Sequence, residues 1–122
     1  MHIGCPKEIK PQEFRVGLTP NAAREAVAHG HTVTMEAGAG VGAGFTDADY
    51  TDAGAQMVGT AAEVFAAADM IVKVKEPQAI ERKMLREGQI LFTYLHLAPD
   101  PEQTHDLIAS GATCIAYETV TD

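Results

Sequence analysis

Short apolar runs alternate with polar stretches that carry helix-capping signals, and that alternation organises the whole chain. Residues 2–5 form an apolar, strand-like opening closed by Pro6. Thr19-Pro20 then marks a helix start, with Thr as cap and Pro at the first helical position, and predicts a helix to about residue 29 closed by Gly30. Residues 32–36 are β-branched and strand-like, and a glycine-rich loop follows at 38–44. Thr46-Asp47-Ala48-Asp49 caps a short helix to about residue 53, and Gln56 to Thr60 reads as polar loop. Thr60, with Glu63 three residues on, opens an alanine-rich helix to residue 67. Residues 70–74 predict the third strand, 77–86 a helical segment, 89–93 the fourth strand, 101–109 a helix, and 113–117 the fifth strand.

Strand and helix in strict alternation define an α/β fold of three layers. The sheet is doubly wound and mainly parallel, of Rossmann-like or flavodoxin-like kind, with right-handed crossovers. At 122 residues the chain has the size of one domain, able to bury roughly two thirds of its unfolded surface. No repeat or Pro/Ser-rich linker divides it. The sequence ends directly after the last strand, with no closing helix, so residues 1–122 are expected to be a single substrate (catalytic) domain and one piece of something larger.

Composition narrows the function. The apolar stretches are too short for a membrane span, and no apolar leader opens the chain. A net charge of −8 and only 6% aromatic residues oppose nucleic-acid binding, which needs a basic surface. Cys5 and Cys114 both lie in or beside strands, as buried thiols of a reducing compartment would, so a cytoplasmic protein is expected. The nine Lys and Arg are placed informatively: Lys7, Arg15, Lys73 and Lys75 lie at or just past strand ends, where open α/β sheets bind ligands. Of these, Lys7 and Lys73, together with Lys10, read as solvated loop charges.

Arg15 and Lys75, with His96 just past the fourth strand, could meet in one crevice. Two cations and an imidazole suit a small carboxylate whose neighbouring oxygen gains or loses a proton. Tyr94 and Glu118 also lie at strand ends and are candidates to orient site residues. His29, His31 and His105 read as surface or satisfied core residues, and no His or Cys has zinc-site spacing. Gly38-Ala39-Gly40-Val41-Gly42-Ala43 fits a dinucleotide fingerprint on paper. It follows the second strand rather than the first, and Gly44-Phe45-Thr46 separates it from the next helix. No acidic residue ends a following strand about 20 positions on. A glycine loop that packs closely or contacts another subunit fits better, leaving no cofactor-binding residue in the chain.

Five ordered blocks carry a family resemblance. They are Pro6-Lys7-Glu8-Ile9-Lys10 leading to Arg15-Val16-Gly17-Leu18-Thr19-Pro20; Glu36-Ala37-Gly38-Ala39-Gly40 with Gly44-Phe45; the run from Asp69 to Pro77; the run from Leu91 to Ala98; and Ala116-Tyr117-Glu118-Thr119-Val120. Over essentially its whole length the chain resembles the N-terminal substrate domain of the alanine dehydrogenase / nicotinamide nucleotide transhydrogenase family, and alanine dehydrogenase in particular. The resemblance implies oxidative deamination of L-alanine to pyruvate and ammonia with NAD as hydride acceptor. It assigns Arg15 and Lys75 to substrate binding and His96 to acid/base catalysis. It also implies a homo-oligomer and places NAD on a dinucleotide-binding domain absent from this sequence, so the chain alone is expected to be inactive. Two alternatives are the N-terminal part of a transhydrogenase, which has no need of the Lys75 and His96 pair, and a non-catalytic module that binds a small carboxylate or another subunit.

Overall fold

The computed structural model describes residues 1–95 and 100–116. Its six strands are β1 (His2–Cys5), β2 (Thr32–Glu36), β3 (Gln56–Val58), β4 (Met70–Val72), β5 (Ile90–Thr93) and β6 (Thr113–Ala116). The helices are α1 (Pro20–Ala28), α2 (Asp47–Asp52), α3 (Ala61–Ala67), α4 (Ala79–Arg82) and α5 (Pro101–Ser110). The strands form one sheet in the order β3-β2-β1-β4-β5-β6, and every pairing is parallel. Strand order reverses between β1 and β4. A doubly wound sheet opens its ligand crevice at that switch point, outside the carboxyl ends of the strands.

Local chemistry sets the helix starts. Thr19, Thr46, Thr60 and Asp100 each accept a hydrogen bond from a backbone N–H of the first turn, at 3.1, 3.2, 3.3 and 3.0 Å. Side-chain alternation then sorts the strands onto two cores. Ile3, Cys5, Val33, Met35 and Val72 pack with Ala23 of α1 and Tyr50 of α2. Ile71 and Leu91 pack on the other face with Val64 and Phe65 of α3 and Leu107 of α5. Cys5 is fully buried, and burial pushes its thiol up to about 12; Cys114 is only half-buried.

Two expectations are corrected here. Gln56–Val58 is not loop but a sixth strand, paired with Thr34, Met35 and Glu36 of β2. It is three residues long and lies at the sheet edge, so one ladder specifies it and its sequence has no room to alternate. The helix expected over 77–86 narrows to α4, because Gln78 is still extended and Lys83 ends the regular turns. Among the described residues no helix is long and apolar enough to cross a membrane.

Candidate functional site at the sheet switch point

The chain leaving β1 does not turn straight into α1. Residues 6–18 form a strap over the carboxyl ends of β1 and β4. Gly17 permits the crossing, since a Cβ there would sit 2.6 Å from the Val72 carbonyl oxygen. Within the strap, Glu13 N–H donates to the Lys10 carbonyl at 3.1 Å, closing a turn with Pro11 and Gln12 at its corners. Gln12 has φ +64, a left-handed conformation usually left to glycine.

Under the strap lies a buried ion cluster. Lys73 is 1% exposed in its side chain, and its Nζ is 3.0 Å from Glu8 Oε1 and 3.0 Å from Glu81 Oε2. Lys73 is therefore not a solvated loop charge. It directly follows the apolar β4 and keeps the strand's path, with its N–H donating to the Phe92 carbonyl at 3.0 Å. Burial works against the ammonium, but Glu81 and Glu8 outweigh it and raise its pKa. Burial pushes Glu81 upward, with Lys73 opposing. Lys10, half-buried, is paired with Glu76 and so is not free in solvent either; Lys7 is exposed as expected.

Glu8 does more than balance charge. Its Oε1 also accepts the Lys75 N–H at 3.2 Å, and its Oε2 accepts the Val74 N–H at 3.1 Å. Lys75 is half-buried, and its Nζ lies 5.3 Å from the centroid of the Tyr94 ring, a cation–π distance. Among the described residues its ammonium has no carboxylate within ion-pair distance.

Arg15 stands at the mouth of the crevice with its side chain 67% exposed. It lines a cleft of about 400 Å³ between the strap and the glycine loop, together with Lys7, Glu13, Phe14 and Gly42. Glu13 occupies its guanidinium fork: Nε donates to Oε2 at 3.0 Å and Nη2 to Oε1 at 2.9 Å. The Arg15 guanidinium, with a minor contribution from the Lys75 charge, holds the Glu13 carboxyl down at about 2. The strap that carries Arg15 crosses the end of β4 at Gly17 and holds the Lys75 backbone through Glu8, which places both cations at the same end of the sheet. His96 and Glu118 lie outside the described residues. Glu8 and Glu81 were missed by sequence reasoning, because nothing local tells which cation a glutamate will meet, here up to 65 positions away; Glu13, two residues from Arg15, was missed although the pair is local.

The glycine run is a packing device. A Cβ on Gly40 would lie 2.6 Å from the Tyr50 ring, and Tyr50 in turn donates its hydroxyl to the Leu18 carbonyl at 2.6 Å. The run folds into a short 3-10 turn at Val41–Ala43, and the next helix is capped by Thr46. No glycine cradle for a pyrophosphate faces the crevice at the first βα turn, which is the strap. The residues described do not fit a dinucleotide.

A parallel sheet whose strand order reverses between β1 and β4, crossed there by a strap that carries Arg15, defines a doubly wound α/β domain. The chain belongs to the alanine dehydrogenase/PNT N-terminal domain family, which matches residues 4–122. It is 56% identical over 121 residues to alanine dehydrogenase of Halomonas elongata, covering 99% of this chain and 33% of that protein. Alanine dehydrogenase of Mycobacterium tuberculosis is 55% identical over 120 residues, with 98% of this chain and 32% of the relative covered. A solved L-alanine dehydrogenase superposes with a TM-score of 0.95 at 55% identity, covering 98% of this chain and 33% of its own. A solved transhydrogenase from Sinorhizobium meliloti gives a TM-score of 0.88 at 32% identity, covering 95% of this chain and 33% of its own. The chain spans about a third of the length of the relatives it matches.

Proposed function

We propose that residues 1–122 are the substrate-binding domain of an NAD-dependent alanine dehydrogenase, which converts L-alanine, NAD and water to pyruvate, ammonia and NADH. The observation that carries this reading is the family match over residues 4–122, and the strap bearing Arg15, bonded through Glu8 to the backbone of Lys75, supports it. Identity of 55% to an alanine dehydrogenase structure, against 32% to the transhydrogenase, favours the dehydrogenase over its family neighbour.

In this reading Arg15 and Lys75 clamp the carboxylate of alanine or pyruvate. The substrate must displace Glu13 from the guanidinium fork, so Arg15 exchanges one carboxylate for another and stays paired throughout. Lys75, a compact charge fixed at the backbone, holds the substrate carboxylate or carbonyl oxygen from the other side. His96 is assigned proton transfer: the carbinolamine formed from pyruvate and ammonia loses water, and imidazole can give or take the proton near neutrality. NAD supplies the hydride acceptor when bound, and we assign its site to the part of the relatives' length that this chain does not span. The whole enzyme is taken to be a cytoplasmic homo-oligomer.

The test is a hybrid in which residues 1–122 replace the matching third of the Halomonas elongata enzyme. Alanine-dependent NADH formation by the hybrid, and none by the 122-residue chain alone, is the expected result. A folded hybrid that binds pyruvate but oxidises no alanine would favour a non-catalytic carboxylate-binding module.

A further inference from the structure

Lys75 sits on a short bend rather than inside a regular element, yet its backbone is held on both sides. Its N–H donates to Glu8 Oε1 at 3.2 Å, and its carbonyl accepts from Thr93 Oγ1 at 2.7 Å. Both partners are buried, Glu8 at 7% and Thr93 at 0% exposure, so neither bond has water to replace it. They reach Lys75 from opposite neighbours: Glu8 comes from the strap after β1, and Thr93 is the last residue of β5. The next residue after Thr93 is Tyr94, whose N–H donates to the Val74 carbonyl at 3.3 Å and whose ring lies under the Lys75 ammonium. Glu8 is itself fixed by Lys73.

We infer that Glu8 and Thr93 are the positioning residues of the substrate site, fixing the backbone of Lys75 so that its ammonium stands over Tyr94. The inference rests on the substrate role proposed for Lys75. A flexible four-carbon stem can place its charge over a wide volume. Fixing both backbone polar groups, with an aromatic face beneath the ammonium, reduces the conformations that must be lost when a carboxylate binds. The buried ion cluster thereby gains a use beyond stability: Glu8 ties the strap that carries Arg15 to the bend that carries Lys75, so the two cations hold a common frame.

The test uses the full chain in solution. Lys75 lies over an aromatic face, so its ε-methylene protons should resonate upfield of those of the exposed lysines through the ring current. Thr93→Val keeps shape and burial, leaves the charge cluster intact and removes only the hydroxyl. In Thr93→Val, and in Glu8→Gln where it folds, most of that upfield displacement should be lost while the amide resonances of β1 and β2 stay in place. Pyruvate, titrated against the same protons, should bind about tenfold more weakly, as expected for a fixed contact worth one buried hydrogen bond. If both variants, or Thr93→Val alone where Glu8→Gln does not fold, keep the wild-type displacement and pyruvate midpoint, the positioning role is overturned. If the wild type shows the displacement and Thr93→Val loses it, yet pyruvate perturbs neither protein, the positioning stands and the substrate reading of Lys75 falls.

Discussion

Replacing Lys73 by Met is the sharpest perturbation of the frame beneath the site. Methionine fills much of the same volume, so the change removes the ammonium and little else. Two carboxylates, Glu8 and Glu81, then remain in a space where Lys73 was 3.0 Å from each. Breaking a buried ion pair from one side costs about 3–5 kcal/mol, because the orphaned charge stays desolvated. Here the cost should fall near the lower end. Glu8 still accepts from Val74 and Lys75, and Glu81 Oε1 still accepts from Gln78 at 2.9 Å. Against a total domain stability of about 5–15 kcal/mol, that is a large fraction. In urea, with a slope of about 1–3 kcal/mol per molar, the midpoint should drop by at least about 1 M. The pH dependence carries a definite sign. A carboxyl whose folded pKa is raised favours folding below its ordinary range and loses that contribution as pH rises through the folded value. Burial already raises Glu81 in the wild type, and loss of Lys73 raises it further. The deficit of Lys73→Met should therefore shrink as pH is lowered from 7 toward 5, and adding Glu81→Gln should recover part of it. A deficit below about 1 kcal/mol at pH 7, or one that does not change with pH, would refute the buried-cluster argument.

Other perturbations probe other parts. Glu13, held at about 2 by Arg15, contributes stability that is present above the ordinary carboxyl value and lost as pH falls through about 2. Glu13→Gln should therefore flatten the acid limb of a stability-versus-pH curve between those values. Gly40→Ala should destabilise by about 1–3 kcal/mol in thermal or urea unfolding, since its methyl meets a rigid ring that is already hydrogen-bonded to Leu18. In the active hybrid, His96→Ala should lower turnover by roughly 10²–10⁴-fold and remove the wild-type bend of log kcat/KM near the imidazole pKa. A variant that keeps both turnover and bend assigns His96 a structural role.

Much of the fold was legible because its signals are local. Thr19-Pro20, Thr46, Thr60 and Asp100-Pro101 each satisfy backbone donors within their own first turn, so sequence spacing alone locates those helix starts. β3 was missed for the opposite reason: Gln56–Val58 is a strand only because β2 lies beside it. The same division runs through the site. Arg15 and Lys75 follow β1 and β4, which the topology makes neighbours, so the sequence order alone puts both at one end of the sheet. That Lys73 is buried and Lys7 exposed was not legible, since both are lysines at strand ends. What separates them is a pair of glutamates brought in by the strap and by α4. The spacing of the glycine run and its place after β2 argue against a dinucleotide fingerprint from sequence alone. Its contact with the Tyr50 ring is tertiary, and no local signal announces it.

The central claim is that Arg15 and Lys75 form the carboxylate clamp. The direct measurement is kcat/KM for pyruvate in its NADH-dependent reductive amination with ammonia, by the active hybrid carrying Arg15→Ala, Lys75→Ala, or both. Each single change should lower kcat/KM by roughly 30- to 1000-fold, equivalent to about 2–4 kcal/mol of lost transition-state binding. The double change should fall short of the product of the two, because both cations act on one carboxylate. Near-normal kcat/KM in both single variants would contradict the clamp.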